Sequence, residues 1–186
     1  MTALAVAFAA IDAANASDPN EVDGHPASLL YGQRMTAEQI RLFPDAREAL
    51  QIAARGQHIE RWVLSRADFP EGREGYLTWR RDLAHHHARR IGEIMASAGY
   101  DQHEIDAAHR MLLKQGIKRD ADVQALEDII CFVFLRWYFQ PFSSTQSPEK
   151  LQRIVQKTAR KMSAEARALA LDTFDLPPPF DGFFKD

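Results

Sequence analysis

Apolar residues recur at helical spacing along most of the chain, and no segment alternates between apolar and polar residues for long enough to predict a strand. Helix starts are marked by capping boxes, in which a capping residue is followed three positions later by Glu or Gln. Asp45 with Glu48 and Asp101 with Glu104 have this spacing. The pattern predicts an all-α fold, with helices near residues 2–15, 27–42, 45–62, 74–98, 101–115, 120–140, 148–162 and 164–171.

The length of 186 residues fits one domain with a well-filled core. We therefore expect a compact, single-domain helical bundle over residues 1–186. The tail from 176 to 186 contains three consecutive prolines and then phenylalanines, so it is predicted to be non-helical and to pack on the body through its aromatic rings. Residues 16–26 and 63–74 are rich in turn-forming residues and are predicted to be loops.

Composition is that of an ordinary globular protein, with 46% hydrophobic and 26% charged residues. The net charge of -3 argues against general nucleic-acid binding, because neutralising phosphates requires a basic surface. The single cysteine, Cys131, excludes an internal disulfide, and its apolar neighbours are typical of a core residue rather than of a reactive thiol. The cytoplasm is the expected compartment.

Two apolar stretches could be mistaken for targeting or membrane segments. Residues 1–10 are apolar, but no Lys or Arg precedes them, so they predict a packed first helix rather than a secretion signal. The apolar run over 129–135 is much shorter than the roughly 20 residues that a transmembrane helix needs. The sequence predicts no membrane span.

Three adjacent histidines lie in the predicted helix 74–98, and geometry singles out one of them. His87 falls on the apolar, inward face of this helix, whereas His85 and His86 point elsewhere. A lone histidine on an apolar stripe is more often a hydrogen-bonded core residue than a ligand. Both interpretations stay open on this pattern.

A buried carboxylate is predicted in the helix 120–140. Asp128 comes just before an apolar run so continuous that the helix should be buried nearly all round. An unpaired buried charge costs several kcal/mol at least, so Asp128, or its neighbour Glu127, needs a cation, a metal or hydrogen-bond donors. An arginine such as Arg61 or Arg80 is the simplest partner.

The predicted helix 45–62 places His58 on its second, polar face, together with Arg55 and Trp62. That face suits either plain solvent exposure or the floor of a pocket. Basic residues gather in the same region, and in a protein of negative net charge this excess favours a small anionic ligand such as a nucleotide. They are Arg55, Arg61, Arg66, Arg73, Arg80, Arg81, Lys114, Lys118 and Arg119.

The order and separation of His58, His87 and Asp128, on three predicted helices, resemble the histidine-aspartate (HD) superfamily of metal-dependent phosphohydrolases. That superfamily carries a His-Asp doublet on the middle helix, and here Ala88 follows His87.

The whole chain also resembles an uncharacterised family of bacterial and fungal proteins, filed as domain of unknown function 4202. The similar segments include "AARGQHIERW" at 53–62, "GREGYLTWR" at 72–80 and "LEDIICFVFL" at 126–135. This resemblance implies an HD-like helical fold and no established substrate.

The HD resemblance implies a phosphohydrolase acting on a nucleotide or another small phosphate ester. One divalent metal, Mn, Fe, Co, Ni or Zn, would be held by His58, His87 and Asp128 and would activate a water molecule. Two alternatives stay open: a catalytically inactive HD-like binding or regulatory module for an anionic ligand, favoured by Ala88, and a structural or interaction protein with a polar core. The general base would be Glu127 or Asp82, and the phosphate-binding residues would be Arg55, Arg61, Arg80 and Lys114.

Overall fold

The structure is a computed structural model that describes residues 1–185. Its chain divides into two compact units, Met1–Gly116 and a second that begins at Ile117. The predicted all-α class is confirmed, since strands within the described residues are limited to a hairpin of Glu21–Val22 (β1) and His25–Pro26 (β2). The single-domain organisation stays a prediction.

The first unit is built on the longest helix. Apolar residues of the helices form its core, and Ile11, Met35, Ile52, Ile91 and Met95 are fully buried there. The helices are Ala3–Asn15 (α1), Ala27–Leu42 (α2), Glu48–Arg55 (α3), Gly72–Ala98 (α4) and Gln102–Leu112 (α5). The long helix α4 packs against α1 and α5, and α3 packs against α1, α2 and α5.

The second unit packs helices around Phe132, Val155 and Met162, which are fully buried. Its first helix leaves the regular α-helical form at Phe134–Tyr138, where one π-helical turn occurs. The helices are Ala121–Val133 (α6), Phe139–Ser143 (α7), Pro148–Lys161 (α8) and Ala164–Thr173 (α9).

Within the described residues, the tail packs on helices of the second unit. Leu176 and Phe184 are buried, and a 3-10 turn at Asp181–Phe184 packs against α8 and α9. The Phe180 ring meets the Phe139 ring edge-on, with 5.7 Å between the ring centroids. Only that short turn departs from the non-helical prediction, and residue 186 lies outside the described residues.

One predicted helix is wrong. Instead of running from 45 to 62, α3 begins at Glu48 after an N-cap residue, Arg47, with no capping side chain, and it ends at Arg55. Gly56 packs so closely on α4 that a Cβ atom at this position would overlap the side chain of Ile91. The chain then leaves the helix, and Glu60 adopts a left-handed backbone with φ of 49°. His58 therefore lies in a turn and not on a helix.

Most other helix ends follow the sequence pattern. Asp101 caps α5 as predicted, since its carboxylate accepts a hydrogen bond from the Glu104 N–H at 2.9 Å. The predicted loop 63–74 contains a 3-10 turn at Arg66–Asp68, and α4 begins slightly earlier than predicted. No helix in the described part of the chain is both long and apolar enough to cross a bilayer.

Candidate functional site

The turn at residues 56–60, which we call the histidine loop, is tied to two helices of the first unit. The Glu60 carboxylate accepts two hydrogen bonds from Arg90 of α4, at 2.8 and 2.9 Å, and lies 3.2 Å from the His86 ring nitrogen. The Glu60 N–H donates to the side-chain oxygen of Asn15 in α1 at 2.9 Å. These contacts hold a left-handed residue in place and so fix the path of the loop.

The predicted inward position of His87 is confirmed, because its exposed fraction is 4%. Its Nδ1 lies 2.7 Å from the backbone oxygen of Ile59 in the histidine loop. Since a carbonyl oxygen only accepts, Nδ1 carries the proton and Nε2 presents a lone pair in the neutral ring. Within residues 1–185, this buried Nε2 has no hydrogen-bond partner. Burial lowers the pKa of His87 to about 3, so the ring is neutral at physiological pH.

His58 stands next to this ring. It stacks on Tyr31 of α2, with ring centroids 3.8 Å apart, and its centroid lies 6.1 Å from that of His87. Burial, followed by the positive charge of Arg61, lowers the pKa of His58 well below its ordinary value. The site therefore contains two neutral imidazole rings.

A small cavity, which we call the cationic cavity, opens between the histidine loop and α4. Its volume is about 30 Å³, close to the share of one water molecule in the liquid. Burial and the neighbouring charge of Arg80 lower the pKa of Arg61, whose guanidinium stacks over the Trp79 ring at 5.0 Å. Among residues 1–185, no carboxylate lines this cavity. The lining residues are Gln57, His58, Arg61, Arg80, Leu83, Ala84, His87, Leu112 and Lys114.

Two predicted site residues of the first unit are engaged elsewhere. Arg55 donates to both carboxylate oxygens of Asp12, at 2.7 and 2.6 Å, and to the Thr36 hydroxyl at 3.2 Å. Its guanidinium therefore joins α3 to α1 and α2. Asp82 is partly exposed and pairs with its neighbour Arg81 at 3.0 Å. Neither Arg55 nor Asp82 lines the cationic cavity.

Asp128 lies in the second unit, where hydrogen-bond donors satisfy its carboxylate. It is 3% exposed, and it accepts hydrogen bonds from the Ser163 N–H at 2.8 Å and from Gln124 Nε2 at 2.9 Å. Burial raises the pKa of Asp128, while these hydrogen bonds oppose the rise. Because Ser163 is the N-cap of α9, the carboxylate holds the start of that helix against α6. The predicted need for a partner is thus met by donors.

The neighbouring carboxylate, Glu127, is also buried, and one of its oxygens lies 3.3 Å from Lys161 Nζ of α8. It therefore joins α6 to α8 inside the second unit.

Among the predicted metal ligands, the first unit brings His58 and His87 together, and Asp128 belongs to the second unit. Residues 1–185 contain no group of three or more His, Cys, Asp or Glu side chains arranged to hold a metal ion. Sequence reasoning missed Gln57, which lines the cationic cavity, and Tyr31, which stacks on His58. The adjacency of Gln57 to His58 was the only signal for the former.

Comparison with known proteins identifies the family of the chain but indicates no reaction. Neither a curated protein nor a solved structure matches the chain. The HD-like character of the fold stays a prediction. The model of one family matches residues 5–182, and the chain therefore belongs to the family described as "Domain of unknown function (DUF4202)".

Proposed function

We propose that the first unit binds a small phosphate ester at the cationic cavity. The observation that carries this proposal is the convergence of Arg61, Arg80 and Lys114 on one cavity, which no carboxylate of the described residues lines. Guanidinium groups match the geometry of phosphate oxygens, and an ammonium group adds a point charge. An anion is the ligand that such a set of donors recognises.

The charges around the cationic cavity favour the binding of an anion there. Arg61 is held close to Arg80, and its lowered pKa reflects the cost of keeping its charge in a buried position beside a like charge. Within residues 1–185, neither arginine forms an ion pair with a carboxylate. A bound phosphate supplies the missing negative charge.

The size of the cavity indicates how the ligand sits. A volume of about 30 Å³ accommodates one ligand oxygen rather than a whole phosphate group. The phosphoryl group therefore lies at the opening, within reach of the long side chains of Arg80 and Lys114. A protonated ligand oxygen that enters the cavity would donate a hydrogen bond to Nε2 of His87 and satisfy its lone pair.

Calorimetry of the full chain with inorganic phosphate and ribose 5-phosphate tests this proposal. We expect both to bind, with affinity that falls as salt rises, and we expect Arg80→Gln to weaken binding by about ten-fold or more, as for the loss of one charge-assisted hydrogen bond. Arg81→Gln is the matched control, because Arg81 is the next residue of α4 and points to solvent beside Asp82. Absence of binding by the wild-type protein, or equal losses in the two variants, would refute the proposal.

Metal-dependent phosphohydrolysis is the second candidate. It is favoured by the neutral His87 ring, whose Nε2 lone pair has no partner among residues 1–185, and by the second neutral imidazole of His58 beside it. Neutral imidazole is the form that binds a transition metal. When bound, a divalent metal would supply an activated water molecule. The assignment of His58, His87 and Asp128 as one ligand set stays a prediction.

Metal analysis of untagged protein separates the two candidates. One equivalent of transition metal in the wild type, lost in His87→Asn, together with phosphate release from an ester, supports hydrolysis. Phosphate binding by a protein that carries no metal and releases no phosphate favours a binding or regulatory module.

A further inference from the structure

An aromatic pair on α4 lies beside the cationic cavity. The rings of Tyr76 and Trp79 are tilted against each other with 5.8 Å between their centroids. The Trp79 ring is fixed by a hydrogen bond from its Nε1 to the backbone oxygen of Leu64 at 2.9 Å. Arg61 reaches from the cavity onto this ring, while Tyr76 is 43% exposed. The cavity and the aromatic pair are therefore connected through one guanidinium.

Helical register places this pair in line with the cavity. Tyr76, Arg80 and His87 share one face of α4, because they are spaced by four and then seven positions. With a rise of about 1.5 Å per residue, Tyr76 lies about 6 Å from Arg80 along the helix axis. A ligand whose phosphate meets Arg80 can therefore place a ring against Tyr76 if a sugar-sized linker separates the two groups.

We infer that Tyr76 and Trp79 form a stacking subsite for a planar aromatic group, so that the phosphate ester bound at the cationic cavity carries a nucleobase or another aryl ring. This inference rests on the proposed phosphate site and adds the chemical class of the group attached to the phosphate. The exposed ring of Tyr76, beside the fixed ring of Trp79, offers a surface for stacking. The Arg61 guanidinium lies over the Trp79 ring and adds a cation–π contact at the same place.

The experiment compares four ligands on the full-length chain by calorimetry: inorganic phosphate, ribose 5-phosphate, adenosine 5′-monophosphate and phenyl phosphate. We expect adenosine 5′-monophosphate to bind about 5- to 150-fold more tightly than ribose 5-phosphate, which is the range that stacking of one base provides. Tyr76→Leu keeps an apolar side chain and removes the ring, so it should abolish most of this ratio while the affinity for ribose 5-phosphate is retained. Leu77→Ala is the matched control, since Leu77 is the next residue and is 54% exposed.

Each outcome decides a separate point. A gain with both adenosine 5′-monophosphate and phenyl phosphate supports a subsite for any aromatic ring, and a gain with the nucleotide alone supports a nucleobase subsite. Equal affinities for adenosine 5′-monophosphate and ribose 5-phosphate, or a ratio that survives in Tyr76→Leu, overturn the aromatic subsite and leave the phosphate site standing. If no ligand binds, the proposed function fails together with the subsite.

Discussion

Acid should destabilise the first unit through His87, whose neutral ring is part of the native structure. Burial lowers the pKa of His87 to about 3, from an ordinary value of 6.5 that applies to the unfolded chain. Between these values the unfolded state binds a proton that the native state does not, so the free energy of unfolding falls as the pH falls. The stabilisation is fully present above pH 6.5 and is lost progressively below it.

The size of the effect follows from the difference between the two pKa values. From pH 7.5 to pH 5 the loss due to His87 is about 2 kcal/mol, and the limit reached below the native pKa is about 4 to 5 kcal/mol. The side chain is 4% exposed, so solvent screening does not reduce this value appreciably. Measurement at or above pH 5 keeps most surface carboxylates ionised and isolates the histidine contribution.

Urea unfolding at pH 7.5, 6.5, 5.5 and 5.0 measures this loss. The variant His87→Asn keeps an N–H that can donate to the Ile59 oxygen but has no titrating ring, so its free energy of unfolding should fall by about 2 kcal/mol less than that of the wild type over this range. His103→Asn is the control, since the His103 side chain is 75% exposed. His58 and His86 also have lowered pKa values, so the wild-type curve retains a slope in every variant. Identical pH dependence in the wild type and His87→Asn would refute the assignment of a buried neutral His87.

Three further changes test the packing that surrounds the candidate site. Asp128→Ala should lower the free energy of unfolding by about 1 to 3 kcal/mol, because it leaves the Ser163 N–H without its acceptor; Asp128→Asn retains an acceptor and should cost less, and equal costs would contradict this role. Gly56→Ala should cost about 1 to 3 kcal/mol through overlap with α4, whereas Gly182→Ala, with open space around it, should be nearly neutral in the same urea assay. Arg55→Ala should destabilise the protein by a similar amount without weakening phosphate binding, and weakened binding would return Arg55 to the ligand site.

Helix class and most helix ends were predictable because their causes are local. The capping carboxylate of Asp101 and the helix it starts are adjacent in sequence, so the signal and the structure coincide. The end of α3 has a different cause, because Gly56 stops the helix where the chain meets Ile91 of α4, 35 positions later. The amphipathic pattern continues past Gly56 and gives no indication of the contact between Gly56 and Ile91. The pattern therefore predicts a helix at His58, whereas α3 ends at Arg55.

For the buried polar residues too, the local pattern predicts burial, whereas it does not predict contacts with residues distant in sequence. Periodicity placed His87 and Asp128 on buried faces, and the structure confirms both. Their partners are backbone groups distant in sequence, the Ile59 oxygen and the Ser163 N–H. Backbone donors and acceptors are present at nearly every residue, so composition and spacing do not indicate which of them a buried side chain meets. The proton position on His87 and the structural contribution of Asp128 follow only from the folded chain.

The arginines of the candidate site indicate the charge of its proposed ligand more directly than the histidines do. In the sequence they are one basic cluster, and each is equally suited to bind an anion. Folding separates them by their carboxylate partners: Arg55 pairs with Asp12, and Arg81 pairs with Asp82. Within residues 1–185, Arg61 and Arg80 form no ion pair, although they are held together at one cavity. A guanidinium already bound to a carboxylate contributes little to an anion, whereas two held near each other lose repulsion when an anion arrives. The proposed anion site therefore depends on Arg61 and Arg80, which have no carboxylate partner among residues 1–185.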